Sequence, residues 1–194
     1  MNKEERDLVQ KAKKGKGEAF GLLYDKYFDP IYRFVFLKTG NKTDAEDISH
    51  QVFLSAWQKI EKYEFRGFPF SSWLYKIASN AVIDHWRTKK PTVSIELVKD
   101  DLLSDLPNFH EEADQKVSLG LVREAIAKLE SDQQDVIVMK FVDELSNKEI
   151  AATLGKSEGA IRVIQHRALR QLKKLIPARN ASHSDASGEE ENAI

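Results

Sequence analysis

Apolar residues recur at intervals of three and four through most of the first ninety positions. No stretch alternates residue by residue, so the pattern predicts helices and no sheet. One helix is predicted from about Glu18 to Leu37, with Phe20, Leu23, Tyr24, Tyr27, Phe28, Ile31, Phe34 and Val35 on a broad apolar face. Pro30 lacks an amide hydrogen, which predicts a kink or break near Asp29. Gly40 and Asn41 close this helix. Thr43 and Glu46 have capping-box spacing and predict a second helix to about Lys62. Ala45, Ile48, Val52, Phe53, Ala56, Trp57 and Ile60 form its apolar side, and Asp44, Asp47, Gln51 and Gln58 face outward. A third helix runs from Ser71 or Ser72 to Thr88, with Trp73, Leu74, Ile77, Ala78, Ala81, Val82 and Trp86 as its apolar set.

The run from Ser146 to Leu175 has a tighter grammar. Ser146 and Glu149 again have capping-box spacing, and Ile150 and Leu154 lie four apart on one face. Ala151 is small where a following helix must pass close. Gly155 supplies the left-handed residue that ends a helix and turns the chain, and Ser157 can cap the next one. Ile161, Ile164, Ala168, Leu172 and Leu175 form the inner side of that second helix. Its outer side carries Glu158, Arg162, Val163, His166, Arg167 and Arg170. The spacing predicts a helix-turn-helix whose second helix lies in a DNA groove. An ordinary helical hairpin with a solvated basic face has the same periodicity.

The net charge of −1 conceals an uneven distribution. Residues 1–90 hold 17 basic against 12 acidic side chains, and residues 116–178 hold 11 against 8. Between them residues 91–115 hold 1 against 7, and residues 179–194 hold 1 against 4. Two mildly basic blocks are therefore separated by an acidic segment and followed by an acidic tail, so local faces matter more than the overall charge. The acidic segment has two prolines and no sustained helical period; it reads as a linker, or as a short helix that packs. The tail is polar and small, with the composition of a disordered segment. The domains expected are residues 1–90, a linker at 91–115, residues 116–177 and the tail at 178–194. Cysteine is absent, which removes disulfides and thiolate metal sites. No apolar run is long enough for a membrane span and no signal-peptide core precedes the first helix, so a soluble cytoplasmic protein is expected.

Between the second and third helices, Tyr63, Phe65, Phe68, Phe70, Trp73 and Tyr75 crowd together, interleaved with Arg66, Gly67 and Pro69. Rings with basic neighbours suit single-stranded nucleic acid, because unstacked bases stack on rings and phosphates pair with cations. The same rings can plug a small helical core. Trp73 falls on the buried period and favours the plug; Phe65 and Phe68 fit either reading. The third helix ends in Asp84, His85, Trp86, Arg87, Lys89 and Lys90, where cations either complement the helix dipole or contact phosphate.

The stretches DAEDISHQVFLSAWQKI and PFSSWLYKIASNAVIDHWR, followed by the helix-turn-helix, resemble the two-domain extracytoplasmic-function sigma factors of bacteria. The resemblance covers roughly residues 18–90 and 118–176. It implies an all-α chain of two small helical domains, like sigma regions 2 and 4, acting as a dissociable subunit that brings bacterial RNA polymerase to promoters and helps open the DNA. It implies that Asp44, Glu46, Asp47, Gln51 and Trp57 dock on the clamp of the polymerase core. Phe65, Arg66, Phe68, Trp73, Lys76, Asn80, Asp84 and Arg87 would capture the single-stranded −10 element. Ser157, Glu158, Arg162, Val163, His166, Arg167 and Arg170 would meet the duplex −35 element, and an apolar face of the same domain would sit on the polymerase flap. Members are often held by an anti-sigma factor, which adds such a regulator to the implied partners. The acidic tail is not part of the family's minimal pattern; it either contacts a regulator or keeps the protein soluble.

Two other classes fit less of the chain. A conventional helix-turn-helix regulator would bind duplex operators as free protein with nanomolar-range affinity. A metal-dependent nuclease would need more than Asp44, Glu46, Asp47, Asp84 and His85, and no Gly-rich phosphate loop or nucleophile elbow is present. No enzymatic activity, metal or cofactor is expected.

Overall fold

The computed structural model describes residues 3–65, 67–88 and 113–176, and these form helices and turns with no strand. Arg66, Lys89, Lys90, residues 91–112 of the acidic segment and the tail after Ile176 lie outside the described residues. In chain order the helices are α1 (Lys3–Lys13), α2 (Gly17–Thr39), α3 (Lys42–Lys59), α4 (Phe70–Thr88), α5 (Ala113–Ala127), α6 (Ser131–Ile137), α7 (Asn147–Leu154) and α8 (Glu158–Leu175). A 3₁₀ turn, Ile60–Lys62, extends α3, and a π-helical segment, Val138–Val142, follows α6. Helix α5 thus begins inside the stretch read as linker.

Helices α1 to α4 surround a core rich in large side chains, including fully buried Leu23, Ile31, Phe34, Val52, Phe70 and Leu74. Helix α2 passes through Pro30 without a break, so of the kink or break expected near Asp29 the break does not occur. Proline costs one backbone hydrogen bond and a local clash. Here Ile31, Phe34 and Val35 follow at once, all fully buried, and their packing holds the helix together. Gly40 ends α2 in the left-handed conformation (φ 68°), its N–H donating to the Phe36 carbonyl. Helix α3 then starts earlier than the capping-box spacing indicated. Its N-cap is Asn41, whose side chain accepts from the Asp44 amide at 2.9 Å. A residue that leaves the turn in extended conformation can cap at once, so Thr43 falls inside the helix.

The second half is smaller and more aliphatic. Glu130 and Gln133 form a capping box at the start of α6, a signal weaker in sequence than the serine box downstream. Val136, Val138, Met139, Ile150, Ile161 and Ala168 form the buried centre. In the π-helical segment the Asp143 N–H reaches back to the Val138 carbonyl at 3.1 Å. The added residue per turn carries Asp143 toward the first half. Glu144 then takes φ 56°, a left-handed conformation that costs a residue with a Cβ about 1–2 kcal/mol. The buried apolar residues of both halves belong to one contiguous cluster, with α2 against α5 and α4 against α7.

Candidate nucleic-acid interface

The helix-turn-helix forms as its spacing indicates. The Ser146 side chain accepts from the Glu149 amide and the Glu149 carboxylate accepts from the Ser146 amide at 2.8 Å. Gly155 turns the chain at φ 65°, and Ser157 caps α8 by accepting from the Ala160 amide at 3.2 Å. Ile161 and Ala168 are buried, with Ile164 and Leu172 packed against the core. Leu175 is exposed, because α8 outruns the core beneath it. Ser157, Glu158, Arg162, Val163, His166, Arg167 and Arg170 are all exposed, so every side chain assigned from sequence to this face is available to a ligand. Glu158 and Arg162 lie 3.6 Å apart, one turn from each other. Such an exposed pair is worth little, leaving Arg162 free to exchange it for a base edge. Leu169, seven residues after Arg162 and on the same face, is also exposed. It was missed because it breaks the polar pattern. With Val163 it offers apolar contact of the kind a thymine methyl accepts.

The aromatic loop divides its rings between packing and exposure. Tyr63 and Phe70 are buried, and the Trp73 ring lies 5.1 Å and 5.4 Å from theirs. Phe65 is 42 % exposed. Phe68 and Trp73 are half-buried and, with Lys62, Pro69 and Lys76, line an open cleft of about 320 Å³. Trp73 therefore meets both readings: one part of the ring belongs to the core, another to the cleft. Lys76, Asn80, Asp84 and Arg87 are exposed along α4, Arg87 lying 3.6 Å from Asp84. Trp86 departs from its expected place in the apolar set and is 50 % exposed, because the core does not extend to the last turn of α4.

On α3, Asp47, Gln51 and Gln58 are exposed as expected. Asp44 is turned inward instead, its carboxylate 3.5 Å from His85 on α4 and only one-fifth exposed; the tertiary neighbour draws it off the outer face. Glu46 is half-buried, with its carboxylate 4.0 Å from Lys42. Trp57 packs on Phe20 at 4.9 Å yet keeps part of its surface outside. Exposed Leu54, two turns after Asp47, places an apolar side chain on the same stripe as Asp47 and Gln51, a feature hidden in sequence by its buried neighbour Phe53.

The two halves meet across a polar seam. Lys38 of α2 and Asp135 of α6 form an ion pair with both side chains almost fully buried, and Ser79 of α4 donates to the second Asp135 oxygen at 2.9 Å. Nearby, buried Asp143 lies 3.8 Å from the Arg33 guanidinium. Burial pushes the Asp143 carboxyl up to about 7, against the opposing pull of the Tyr75 hydroxyl and Arg33. Burial likewise drives the Tyr75 hydroxyl upward, reinforced by Asp143. Of these seam residues only Tyr75 stands out in the sequence, as one of the crowded rings; a buried charge is legible only through its partner. Ala152 of α7 stands at the rim of the cleft that Trp73 and Lys76 line, so the helix-turn-helix half closes against the aromatic one.

Among the described residues, no group of three or more His, Cys, Asp or Glu is arranged to hold a metal. No described helix is long and apolar enough to cross a membrane.

Family models described as Sigma-70 region 2 and Sigma-70, region 4 match residues 23–92 and 125–174. The chain is 33% identical over 185 residues to ECF RNA polymerase sigma factor SigW of Bacillus subtilis, which covers 87% of this chain and 94% of the relative. It is 34% identical over 174 residues to ECF RNA polymerase sigma factor BldN of Streptomyces coelicolor; there the match covers 88% of this chain but 65% of the longer relative. In fold it is similar to CnrH, solved with the cytosolic domain of CnrY, at a TM-score of 0.69 and 24% identity, covering 89% of this chain and 96% of that one. A sigma factor RpoE solved with the anti-sigma factor NepR from Bartonella quintana matches at a TM-score of 0.62 and 20% identity, over 80% of this chain and 95% of that one.

Proposed function

The chain belongs to the ECF RNA polymerase sigma factors, and we propose from that premise that it is the dissociable subunit directing bacterial RNA polymerase to promoters and helping to open them. The observation that carries the reading is the pairing, in one chain, of a capped helix-turn-helix with an exposed basic face and an aromatic loop beside a cleft. The first suits duplex DNA and the second suits unstacked bases. Residues Ser157, Glu158, Arg162, Val163, His166, Arg167 and Arg170 meet the −35 element. Phe65, Arg66, Phe68, Trp73, Lys76, Asn80, Asp84 and Arg87 take the −10 strand. Asp47, Gln51 and Trp57, with Leu54 added, dock on the polymerase clamp; Glu46 and Asp44 act at its margin. Exposed Leu175 is available to the polymerase flap. Residues 1–90 and 116–177 are the two working domains, with 91–115 as linker and 178–194 as tail. Recognition and strand capture draw on binding energy alone, so no catalytic step or cofactor enters. The protein works in the cytoplasm, where its polymerase is. An anti-sigma factor is a further proposed partner, in keeping with the RpoE chain of similar fold.

The −10 and −35 elements are separated by about 20 base pairs or more, some 70 Å of duplex at about 3.4 Å per pair. Helices α4 and α7 are in contact. Both elements are therefore engaged only after the halves part, and the covalent chain from Thr88 to Ala113 spans about 80 Å at full reach. The test is run-off transcription from genomic DNA with purified core polymerase, alongside gel shifts with and without core. Discrete core-dependent transcripts are expected, with little promoter binding by the free chain. Tight, specific binding without core, and no transcripts with it, would instead identify an operator-binding regulator.

A further inference from the structure

Helix α1 has no role in the reading above, yet it touches the aromatic loop at three points. Lys13 donates to the Tyr63 carbonyl at 2.7 Å. The Arg6 guanidinium lies over the Phe65 ring, 4.7 Å from its centroid. Glu5 accepts from the Phe70 amide at 3.3 Å, at the N-terminus of α4. The helix is itself held firmly. Val9 and Ala12 are buried on one side of it. Glu5 is buried too, its other oxygen 3.0 Å from Lys26. The polar contacts flank this apolar stripe and reach both ends of the loop and the exposed ring between them.

We propose that α1 is a positioning element for strand capture, in which Arg6 holds Phe65 with one face covered and the other open to a flipped base of single-stranded DNA. The inference rests on the reading of Phe65 as a stacking residue. An exposed ring on a glycine-containing loop samples many orientations, and ordering it on binding weakens the complex. A guanidinium stacked on one face removes part of that cost beforehand. Glu5 and Lys13 fix the two ends of the loop, so the ring is set relative to the cleft that Phe68, Trp73 and Lys76 line.

The experiment uses the full chain with core polymerase, measuring open-complex formation on duplex promoter and on a pre-melted bubble. The variants are Arg6→Ala, Arg6→Lys, Phe65→Ala and the double variant Arg6→Ala/Phe65→Ala. Arg6 is exposed, so melting temperature stays constant across the Arg6 variants. Arg6→Ala is expected to slow opening of duplex by about 2–5-fold, the size of an exposed cation–π contact. Arg6→Lys recovers part of it, and bubble DNA recovers most. In the Phe65→Ala background the further loss of Arg6 has no effect, because the two act as one unit. A full additional loss in that background, or unchanged opening by Arg6→Ala while Phe65→Ala is defective, overturns the positioning role and leaves the stacking reading intact. Unchanged opening by Phe65→Ala overturns both.

Discussion

The two surfaces proposed to meet DNA are built in opposite ways, and the contrast lies in how much of each is also core. On α8 the division is clean: Ile161 and Ala168 are buried, while Arg162, Val163, His166 and Arg167 are exposed. Each side chain is committed to one side, which suits the proposed reading of a duplex by long side chains projecting from a rigid helix. In the aromatic loop the same rings do two things. Trp73 packs on Tyr63 and Phe70 and also lines the cleft. A flipped base needs an apolar wall, and such a wall in water is stable only as the edge of a core. Substitutions in the first half should therefore mix stability with function, and those on α8 should separate them.

The largest expected effect is at the seam that joins the two surfaces. Asp135→Ala strands the Lys38 ammonium in a buried site, which costs about 3–5 kcal/mol if the halves stay together. The chain avoids that cost by opening, which hydrates Lys38. Small-angle scattering should show a larger radius of gyration, and calorimetry should resolve two transitions in place of one. A single transition at the wild-type temperature would mean that the pair contributes nothing to closure.

Trp73→Ala probes the shared surface. Removing a half-buried ring in contact with two others should cost about 2–4 kcal/mol of stability. It should also lower open-complex formation on duplex DNA below what the unfolded fraction explains. A loss of activity that tracks unfolding alone would return Trp73 to the core.

Arg162→Ala probes the separated surface. If Arg162 pairs with a base edge, the change should cost about 1–3 kcal/mol of −35 binding and relax specificity at one position. Its melting temperature should match that of the parent, since only the exposed Glu158 pair is lost. Equal discrimination between consensus and mutated −35 duplexes would remove Arg162 from base reading.

The smallest effect is a pH dependence of closure. Asp143 titrates near 7 in the closed structure, against an ordinary value of 3.8. A carboxyl raised by burial binds its proton more tightly in the closed form, so closure is favoured fully below the ordinary value and that advantage is lost as pH rises through 7. Facing Asp143 are Arg33, Tyr75 and Tyr27 from the first half, with Glu144 beside it. Between pH 8 and pH 6 the gain in closure should be about 1 kcal/mol. Asp143→Asn should flatten the profile, as read by scattering or by an interdomain fluorescence pair. An unchanged slope would assign the titration to another group.

The features legible in sequence were those written in short spans. Ser146, Glu149, Gly155 and Ser157 specify the turn through caps and one left-handed residue, all within about a dozen positions. Periodicity likewise placed the exposed face of α8 and the bulk of α2, α3 and α4, because a 3.6-residue repeat is a property of the strand of sequence itself. Helix α1 and the helices from Ala113 to Ile137 are not delimited by the sequence reading: α1 is short and mostly charged, α6 has only 7 residues, and α5 begins inside the acidic segment. What only the tertiary structure decided depends on residues far apart in the chain. Pro30 stays helical because Ile31 and Phe34 are buried beneath other elements, Asp44 turns inward because His85 is there, and Lys38 is buried because Asp135, itself held by the Ser79 hydroxyl, meets it. Such positions are set by the free energy of a partner at long range, and no local pattern carries that term.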